Sequence, residues 1–378
     1  MEEVSTRYVV AALGFALGLI FGATAQKTNF CTMGAVSDIV FMGGWSRMRA
    51  WLLAIAVAIM GSQALHLAGL VDLNKAVYLT PSFGWFGAIV GGLLFGFGMT
   101  LGGGCGAKTL VRVGGGNLKS VVVMLCIAVF GYMTMRELIA MGRIPLERAL
   151  NVNLANAKMA AQGIPDVLTA LTGVALPTAR SAAAAAIAAA LLWFCFKDAE
   201  FRASVPDVSA GLILGAIVPA SWVVTGVVGN DPFEPVPLAS LTFIAPVGES
   251  IQYLMTFTGS TINFGVATVG GVILGSFLMA VKDKSFAVEG FTNIPDMGRQ
   301  MTGGALMGVG GVMAMGCTIG QGLTGVSTLA LGSFLALVSI WAGSYCGMKY
   351  LEEGSFTGAA RALMSKADSV DKAPGSTI

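Results

Sequence analysis

Along this chain apolar residues come in long runs, separated by short polar or glycine-rich stretches. Runs at 8–23, 48–70, 84–101, 118–140, 179–196, 208–228, 264–281, 301–315 and 327–350 approach or reach the length a helix needs to cross a hydrocarbon layer about 30 Å thick. Between them lie pieces at 29–43, 105–115, 247–261 and 317–325, too short to span and too apolar for ordinary loops. Irregular backbone at membrane depth survives only where protein buries it or where it lines a polar cavity, so these pieces read as re-entrant half-helices. The pattern predicts an all-α polytopic membrane protein with about nine transmembrane helices plus short re-entrant helices. It forms one transmembrane unit over 1–350, followed by a polar tail at 351–378.

An odd number of spans puts the termini on opposite sides, and the excess of Lys and Arg marks the cytoplasmic loops. With the C-terminus cytoplasmic and the N-terminus outside, only Arg7, Lys75, Arg136, Arg143, Arg148, Lys158 and Arg180 fall outside. The other basic residues fall inside. The loop 229–248 carries Asp231 and Glu234 but no basic residue, as an outside loop should. The connection 141–178 is the exception, a longer outside segment holding three basic residues.

Composition agrees with the pattern: 55% of residues are apolar, 11% are charged, and mean hydropathy is +0.79. Soluble domains carry roughly twice that charged fraction. A net charge of +2 gives no footprint for nucleic acid. The start, Met1-Glu2-Glu3, is acidic where a cleavable signal would be basic, so the first run reads as a span. Six cysteines without CxxC spacing do not describe a disulfide framework or a zinc knuckle.

The two sides of the middle segment, about 8–140 and 208–350, resemble each other. Gly91-Gly92-Leu93-Leu94-Phe95-Gly96-Phe97-Gly98 leads through Gly104 to Cys105, and Gly303-Gly304-Ala305-Leu306-Met307-Gly308-Val309-Gly310 leads through Gly316 to Cys317 at the same distances. Asn29-Phe30-Cys31 is echoed by Asn263-Phe264-Gly265. Under the topology above the first half's breaks enter from the cytoplasm and the second half's from outside. That is an inverted repeat, the arrangement whose interface holds the site in many transporters. Packing is the favoured reading for Gly91, Gly92, Gly96, Gly98 and their counterparts, since small residues let membrane helices approach closely. Gly102 to Gly104 and Gly106, clustered round a cysteine, read as a broken helix.

Three thiols stand at these breaks: Cys31, Cys105 and Cys317. Cys126, Cys195 and Cys346 lie inside apolar runs, where cysteine packs as a small hydrophobe. Sulfur is soft and polarizable, and a thiol is a weak donor and weak acceptor. A line of thiols therefore suits a soft metal ion or an anion with a terminal sulfur. Lys108 and Arg112 follow Cys105, Lys27 precedes Cys31, Gln321 follows Cys317, and no acidic residue lies within six positions of the three cysteines. A basic rim favours the anion, and half-helix N-termini add backbone N–H groups. Asn29, Gly104 and Gly316 complete the candidate pathway. His66 reads as a packed or interfacial residue, and Glu249 as either a polar-cavity residue or part of an exposed loop. Met33, Met99, Met313 and Met315 would suit Cu(I), although packing explains them more cheaply.

The motifs Gln26-Lys27-Thr28-Asn29-Phe30-Cys31-Thr32, Gly102-Gly103-Gly104-Cys105-Gly106 and Gly316-Cys317-Thr318-Ile319-Gly320-Gln321-Gly322-Leu323 together resemble the YeeE/YedE family of bacterial inner-membrane sulfur-compound transporters. The resemblance covers roughly 8–350. It implies nine transmembrane helices with re-entrant helices in pseudo-symmetric halves. It also implies pathway cysteines matching Cys31, Cys105 and Cys317, with thiosulfate handed inward from thiol to thiol through S–H···S hydrogen bonds. Lys27-Thr28-Asn29 departs from a stretch that is commonly richer in arginine, so no polar contact is carried over there, nor anything to 141–178. Some relatives are tied to selenium, and others travel beside small TusA-like sulfur carriers.

The expected function is import of thiosulfate or a similar sulfur anion, with no cofactor. A selenium-species or soft-metal transporter would use the same thiols. A membrane thiol oxidoreductase or sulfurtransferase would need an activating base, and neither a nearby His nor a CxxC is present. No GxxxxGK[ST] occurs, which argues against direct use of ATP.

Overall fold

The computed structural model describes residues 5–157, 159 and 161–355. The expected polar tail lies outside the described residues from 356 onward. Helix α1 (Thr6–Lys27) ends at the first break, and the short α2 (Thr32–Ser37) runs into a π-helical turn, Asp38–Met42. Helix α3 (Ser46–Leu67) follows, then a π-helical turn Gly87–Gly91 that leads into α4 (Gly92–Leu101). After the second break come α5 (Gly106–Gly114) and α6 (Leu118–Arg136). The connection after α6 holds α7 (Leu138–Leu150) and α8 (Ile164–Thr172). A two-residue antiparallel ladder pairs β1 (Ser82–Phe83) with β2 (Val152–Asn153), Ser82 opposite Asn153.

Helices α9 (Leu176–Phe196) and α10 (Ala199–Ala203) then lead to α11 (Val205–Val223), which a π-helical turn extends through Val228. The last part comprises α12 (Ile244–Met255), α13 (Phe264–Lys282), α14 (Ile294–Met313), a helical turn from Thr318 into the π-helical segment Gly320–Gly325, and α15 (Leu331–Glu353). Eight helical segments among the described residues are long and apolar enough to cross a membrane. Helix α14 is as long as these, but Asp296, Arg299 and Gln300 in its first turns lower its hydropathy. With it the described residues hold nine long helical segments, eight of them apolar enough to span, and the protein is an all-α polytopic membrane protein.

Burial follows the logic of a bilayer. Leu125, Val129, Leu212, Leu278 and Val338 face outward, whereas Thr32, Gln63, Lys108, Thr318, Gln321 and Ser344 are buried. The helix contacts pair off: α1 packs on α13 and α3 on α11, while α4 packs on α15 and α6 on α14, with α4 against α14 at the centre. Exchanging α1, α3, α4 and α6 for α11, α13, α14 and α15 turns each of these pairs into another pair of the same set. At the crossings backbones nearly touch. A methyl on Gly18 or Gly22 would strike the Thr268 or Val272 carbonyl of α13, and one on Gly96 would strike Ile340 of α15. Gly91 and Gly98 meet Gly310 and Gly303 in the same way. The glycines expected to serve packing do so, because only glycine removes the Cβ that would hold these backbones apart.

Candidate functional site

Each cysteine-bearing break is built alike. Helix α4 ends in a Schellman motif, with Gly103 in the left-handed region (φ 73°) and the Gly104 N–H donating to Met99 O at 2.9 Å. Helix α14 ends the same way: Met315 takes the left-handed position (φ 56°), and the Gly316 N–H donates to Gly311 O at 2.7 Å. At the first break Asn29 is left-handed (φ 51°), a conformation its short polar side chain tolerates. Two residues after each left-handed residue stands the cysteine, immediately before the first turn of the next helix. Cys31 is the N-cap of α2 and Cys105 the N-cap of α5. Cys317 precedes the Thr318 turn and accepts a hydrogen bond on Sγ from the Gly320 N–H at 3.4 Å. All three are buried and unbridged.

The breaks converge. The Cys31 and Cys105 thiols lie side by side, with Thr318 beside Cys105. They line a cavity of about 10 Å3 together with Phe21, Phe30, Thr32, Trp51, Lys108, Val111 and Ile319. That is room for about one water molecule. Lys108 is the only charged side chain in this lining and is 8% exposed. Its Nζ donates to Asn29 Oδ1 at 2.5 Å. Gly104 makes space for it, since a methyl there would come within 3.2 Å of the Lys108 Cγ.

Lys108 and Asn29 also line the neighbouring vestibule, an open cavity of about 400 Å3 that Gln26, Arg112, Asn117, Lys119, Glu289 and Gln300 help to form. Lys108 and its Asn29 contact thus form the partition between vestibule and thiol pair. Arg112 is fixed by donating to Gly103 O at 2.6 Å. Lys27 lies exposed at the end of α1 and lines neither cavity.

Tyr78, which lies near Cys317, lines a further cavity of about 10 Å3 with Gln162, Met315, Gln321 and Ser333. Gln321 is held there by donating Nε2–H to Ala314 O, and Gly316 leaves space for its backbone. Gln162 comes from the long connection, which is tied across this end by Ile164 N–H to Leu329 O and Leu331 N–H to Gln162 O, both at 2.9 Å. Lys108 is shared by the vestibule and the thiol cavity, and Thr318, next in the chain to Cys317, stands beside Cys105.

The echo Asn263-Phe264-Gly265 does not mark the break equivalent to Cys31. Asn263 caps the full-length α13 by accepting from the Val266 N–H at 2.8 Å, and Gly265 sits against Pro246. The short helix that occupies α2's place in the second half is α12, and its N-cap is Phe243. Segment 241–243 lies against the third break, with Thr324 Oγ1 donating to Leu241 O at 2.7 Å and the Phe243 backbone N–H beside Cys317. Phe243 thus stands beside Cys317, as Cys31 stands beside Cys105.

Other residues singled out in the sequence lie elsewhere. His66 packs at the end of α3, its Nδ1 accepting from the Leu73 N–H at 3.2 Å. Glu249 is outside both cavities and accepts from Asn263 Nδ2 at 2.8 Å. Cys195 donates to Arg49 O at 3.3 Å within helix packing. Among the described residues no group of three or more His, Cys, Asp or Glu side chains is placed to hold a metal ion. Sequence reasoning missed Thr32, Trp51, Thr318, Tyr78 and Gln162. The Cys-Thr dipeptide repeated at 31–32 and 317–318 was the available signal for the two threonines, while nothing local marks the others.

Residues 27–346 match the model of the sulphur transport family. The thiosulfate transporter TsuA of Escherichia coli (strain K12) is 27% identical over 356 residues, covering 88% of this chain and 93% of that protein. The thiosulfate transporter TsuA of Spirochaeta thermophila is 25% identical over 345 residues, covering 88% of this chain and 96% of that protein. Over a shorter stretch of 104 residues, the probable transporter YedE of Salmonella typhimurium is 33% identical, covering 26% of this chain and 24% of that protein. A family match running through both halves and all three cysteine breaks, on an all-α membrane frame, makes this chain a member of the sulphur transport (YeeE/YedE) family of multi-pass membrane transporters.

Proposed function

We propose that the protein imports thiosulfate, or a similar anion with a terminal sulfur, across the bacterial inner membrane along Cys317, then Cys105 and Cys31, then Lys108. The observation that supports this reading is the placement of three buried thiols at the starts of three broken helices, two of them lining a cavity that shares Lys108 with the vestibule. The N-terminus is outside and the vestibule opens to the cytoplasm, in keeping with the distribution of basic residues.

The chemistry is that of weak, serial binding. A thiol donates a weak hydrogen bond to the anion's terminal sulfur, and the first backbone N–H groups of each short helix face the same space. Conduction needs sites favourable enough to enter and weak enough to leave, which paired thiols supply better than a strong cationic cage. The Lys108 ammonium neutralises the anion at the constriction, and its swing away from Asn29 opens the partition toward the vestibule. The pairing of helix contacts supports an inverted two-fold relation between the halves, with the thiols at its interface. A small TusA-like carrier that takes sulfur from the cytoplasmic face would keep inward flow favourable.

The test is uptake of radiolabelled thiosulfate by cells or vesicles carrying Cys31→Ala, Cys105→Ala or Cys317→Ala, with sulfate, sulfite and selenite as competitors. Each substitution is expected to abolish most uptake. Undiminished uptake by all three variants sinks the thiol pathway. Selenite competing better than unlabelled thiosulfate moves the substrate to selenium species.

A further inference from the structure

We propose that the cavity at the thiol pair contains a separate recognition set for oxygen, formed by the Trp51 indole N–H and the Thr32 and Thr318 hydroxyls, which holds the oxygen end of a tetrahedral sulfur oxyanion while Cys31 and Cys105 face its sulfur. This rests on the thiol-pathway reading above and adds what selects the anion's other end.

Polar groups at membrane depth are normally committed to a partner, because one left unpaired keeps its full desolvation penalty. Thr100, Thr134, Ser221, Thr225 and Thr268 obey this by donating to the carbonyl one turn earlier in their own helices. Thr32 and Thr318 cannot, since each is the first residue of its helix and has no preceding turn. The Thr32 hydroxyl is buried with no hydrogen-bond partner, and the Thr318 hydroxyl has only the Cys105 thiol beside it. The Trp51 Nε1–H is, like the Thr32 hydroxyl, without a partner, as are Trp341 Nε1 and the Ser62 hydroxyl, which line none of the cavities described above, whereas Trp85 donates to Leu150 O at 2.8 Å. Thr32, Trp51 and Thr318 are at most 1% exposed. Trp51 and Thr32 line the thiol cavity, and Thr318 adjoins it between Cys105 and Ile319. Trp51 is held in plane by stacking on Phe30, with ring centroids 5.2 Å apart at 17°.

Two uncommitted donors and a hydroxyl that meets only a weakly bonding thiol, beside two thiols and one ammonium, describe a ligand with two unlike ends. Oxygens of a sulfonate-like group accept from Trp51, Thr32, Thr318 and Lys108. A soft terminal sulfur meets the thiols. Sulfate fits only the donors, and hydrosulfide fits only the thiols. In the conformation seen the cavity is closed around one water's space, so the anion enters as the Lys108 side chain moves toward the vestibule.

The experiment measures thiosulfate uptake by the full-length protein in proteoliposomes, for wild type and for Trp51→Phe, Thr32→Val and Thr318→Val, with sulfate and hydrosulfide as competitors. Each variant is expected to raise the thiosulfate KM about tenfold, the scale of one hydrogen bond to a charged group. Sulfate competition should weaken by a similar factor and hydrosulfide competition should stay unchanged. Thr32→Ser and Thr318→Ser should return KM to the wild-type range, which separates a lost hydroxyl from damaged packing. If a valine variant fails to accumulate in the membrane, the Thr→Ala and Thr→Ser pair makes the same comparison. Wild-type KM in all three variants, or an equal loss against hydrosulfide, overturns the oxygen set and leaves the thiol pathway standing. Wild-type protein that takes up no thiosulfate overturns the pathway reading and this proposal with it.

Discussion

Replacing Lys108 with methionine removes the one charge at the constriction while keeping the length of the side chain. The ammonium is almost wholly buried and anchored to Asn29 at 2.5 Å. An anion arriving at the thiol pair would lie roughly 4 Å from Nζ, where an effective dielectric constant of about 20 gives an attraction of about 4 kcal/mol. Part of that attraction is offset by desolvation of the anion and by loss of the Asn29 contact. Mutational values for hydrogen bonds to charged groups suggest that about 2–3 kcal/mol survives. At 1.4 kcal/mol per factor of ten, Lys108→Met should weaken thiosulfate uptake at low substrate by about 30- to 150-fold. Lys108→Arg should retain much more, since it keeps the charge. The assay is initial-rate uptake over a range of thiosulfate concentrations, normalised to protein in the membrane. Uptake by Lys108→Met within threefold of wild type would falsify the role given to the ammonium.

Gly96→Ala should lower stability by about 1–3 kcal/mol, the usual range for overpacking. The new methyl would lie 2.7 Å from Ser344 N, where ordinary contact begins near 3.4 Å. Thermal unfolding in detergent measures this against Gly142→Ala, which meets nothing within 4 Å and should be neutral or slightly stabilising. At the protein's edge, Asp231 accepts from the Thr6 hydroxyl at 2.6 Å and from the Phe233 and Glu234 N–H groups, contacts that hold its carboxyl below the usual range, the Thr6 bond foremost. Its folded pKa is depressed, so its stabilising effect is full above the unfolded value, near 4, and is lost as pH falls through the folded value. The stability gap between wild type and Asp231→Asn should therefore be constant near neutrality and close below about pH 4; a gap that stays open there refutes the linkage. Finally, Arg180 is 3% exposed and offsets the burial that raises the Asp166 carboxyl. Arg180→Met should cost about 1–3 kcal/mol by removing the Arg180 donation to Asn74 Oδ1 at 2.8 Å and the charge that offsets burial of Asp166, and adding Asp166→Asn should recover part of the loss in the same melts.

The helices were legible because the bilayer imposes length and hydropathy on each one separately. Even α14, polar in its first turns, was recoverable through the glycine spacing it shares with α4. The breaks were legible for a related reason: glycine and asparagine report a left-handed residue before the chain commits to a fold. Met315 is the instructive exception. It adopts the same left-handed cap as Gly103 while carrying a side chain that disfavours it. The position could be inferred only by aligning the two halves. The echo at Asn263 misled because Asn-Phe suits any helix start. What distinguishes a re-entrant start from a full span is whether the helix continues for twelve residues or for nineteen. Trp51, Tyr78 and Gln162 were invisible because their place near the cysteines depends on packing between distant elements. Neither periodicity nor local composition records that.

The frame that repeats and the lining that does not repeat answer to different demands. Helix pairs such as α1 with α13 and α3 with α11 pack against each other, while the residues at the N-cap positions of the short helices differ in kind. Of the residues that precede these short helical segments, Cys31, Cys105, Phe243 and Cys317, the first two line the cavity that holds Lys108. Phe243 is fully buried and contacts Phe21 at 5.2 Å between centroids, so it narrows the Cys317 side without offering a donor from its side chain. In the proposed pathway an anion on the Cys317 side meets one thiol and an apolar wall, then on the other side two thiols, Lys108 and the Thr32 and Thr318 hydroxyls. Affinity rises along that step, and the anion is desolvated stepwise rather than at once. The step cannot by itself set the direction of net flow, because a passive route runs equally in both senses at equilibrium. It fixes where the anion waits: beside Lys108, one side-chain movement from the vestibule, where removal of sulfur by a cytoplasmic acceptor would turn occupancy into import.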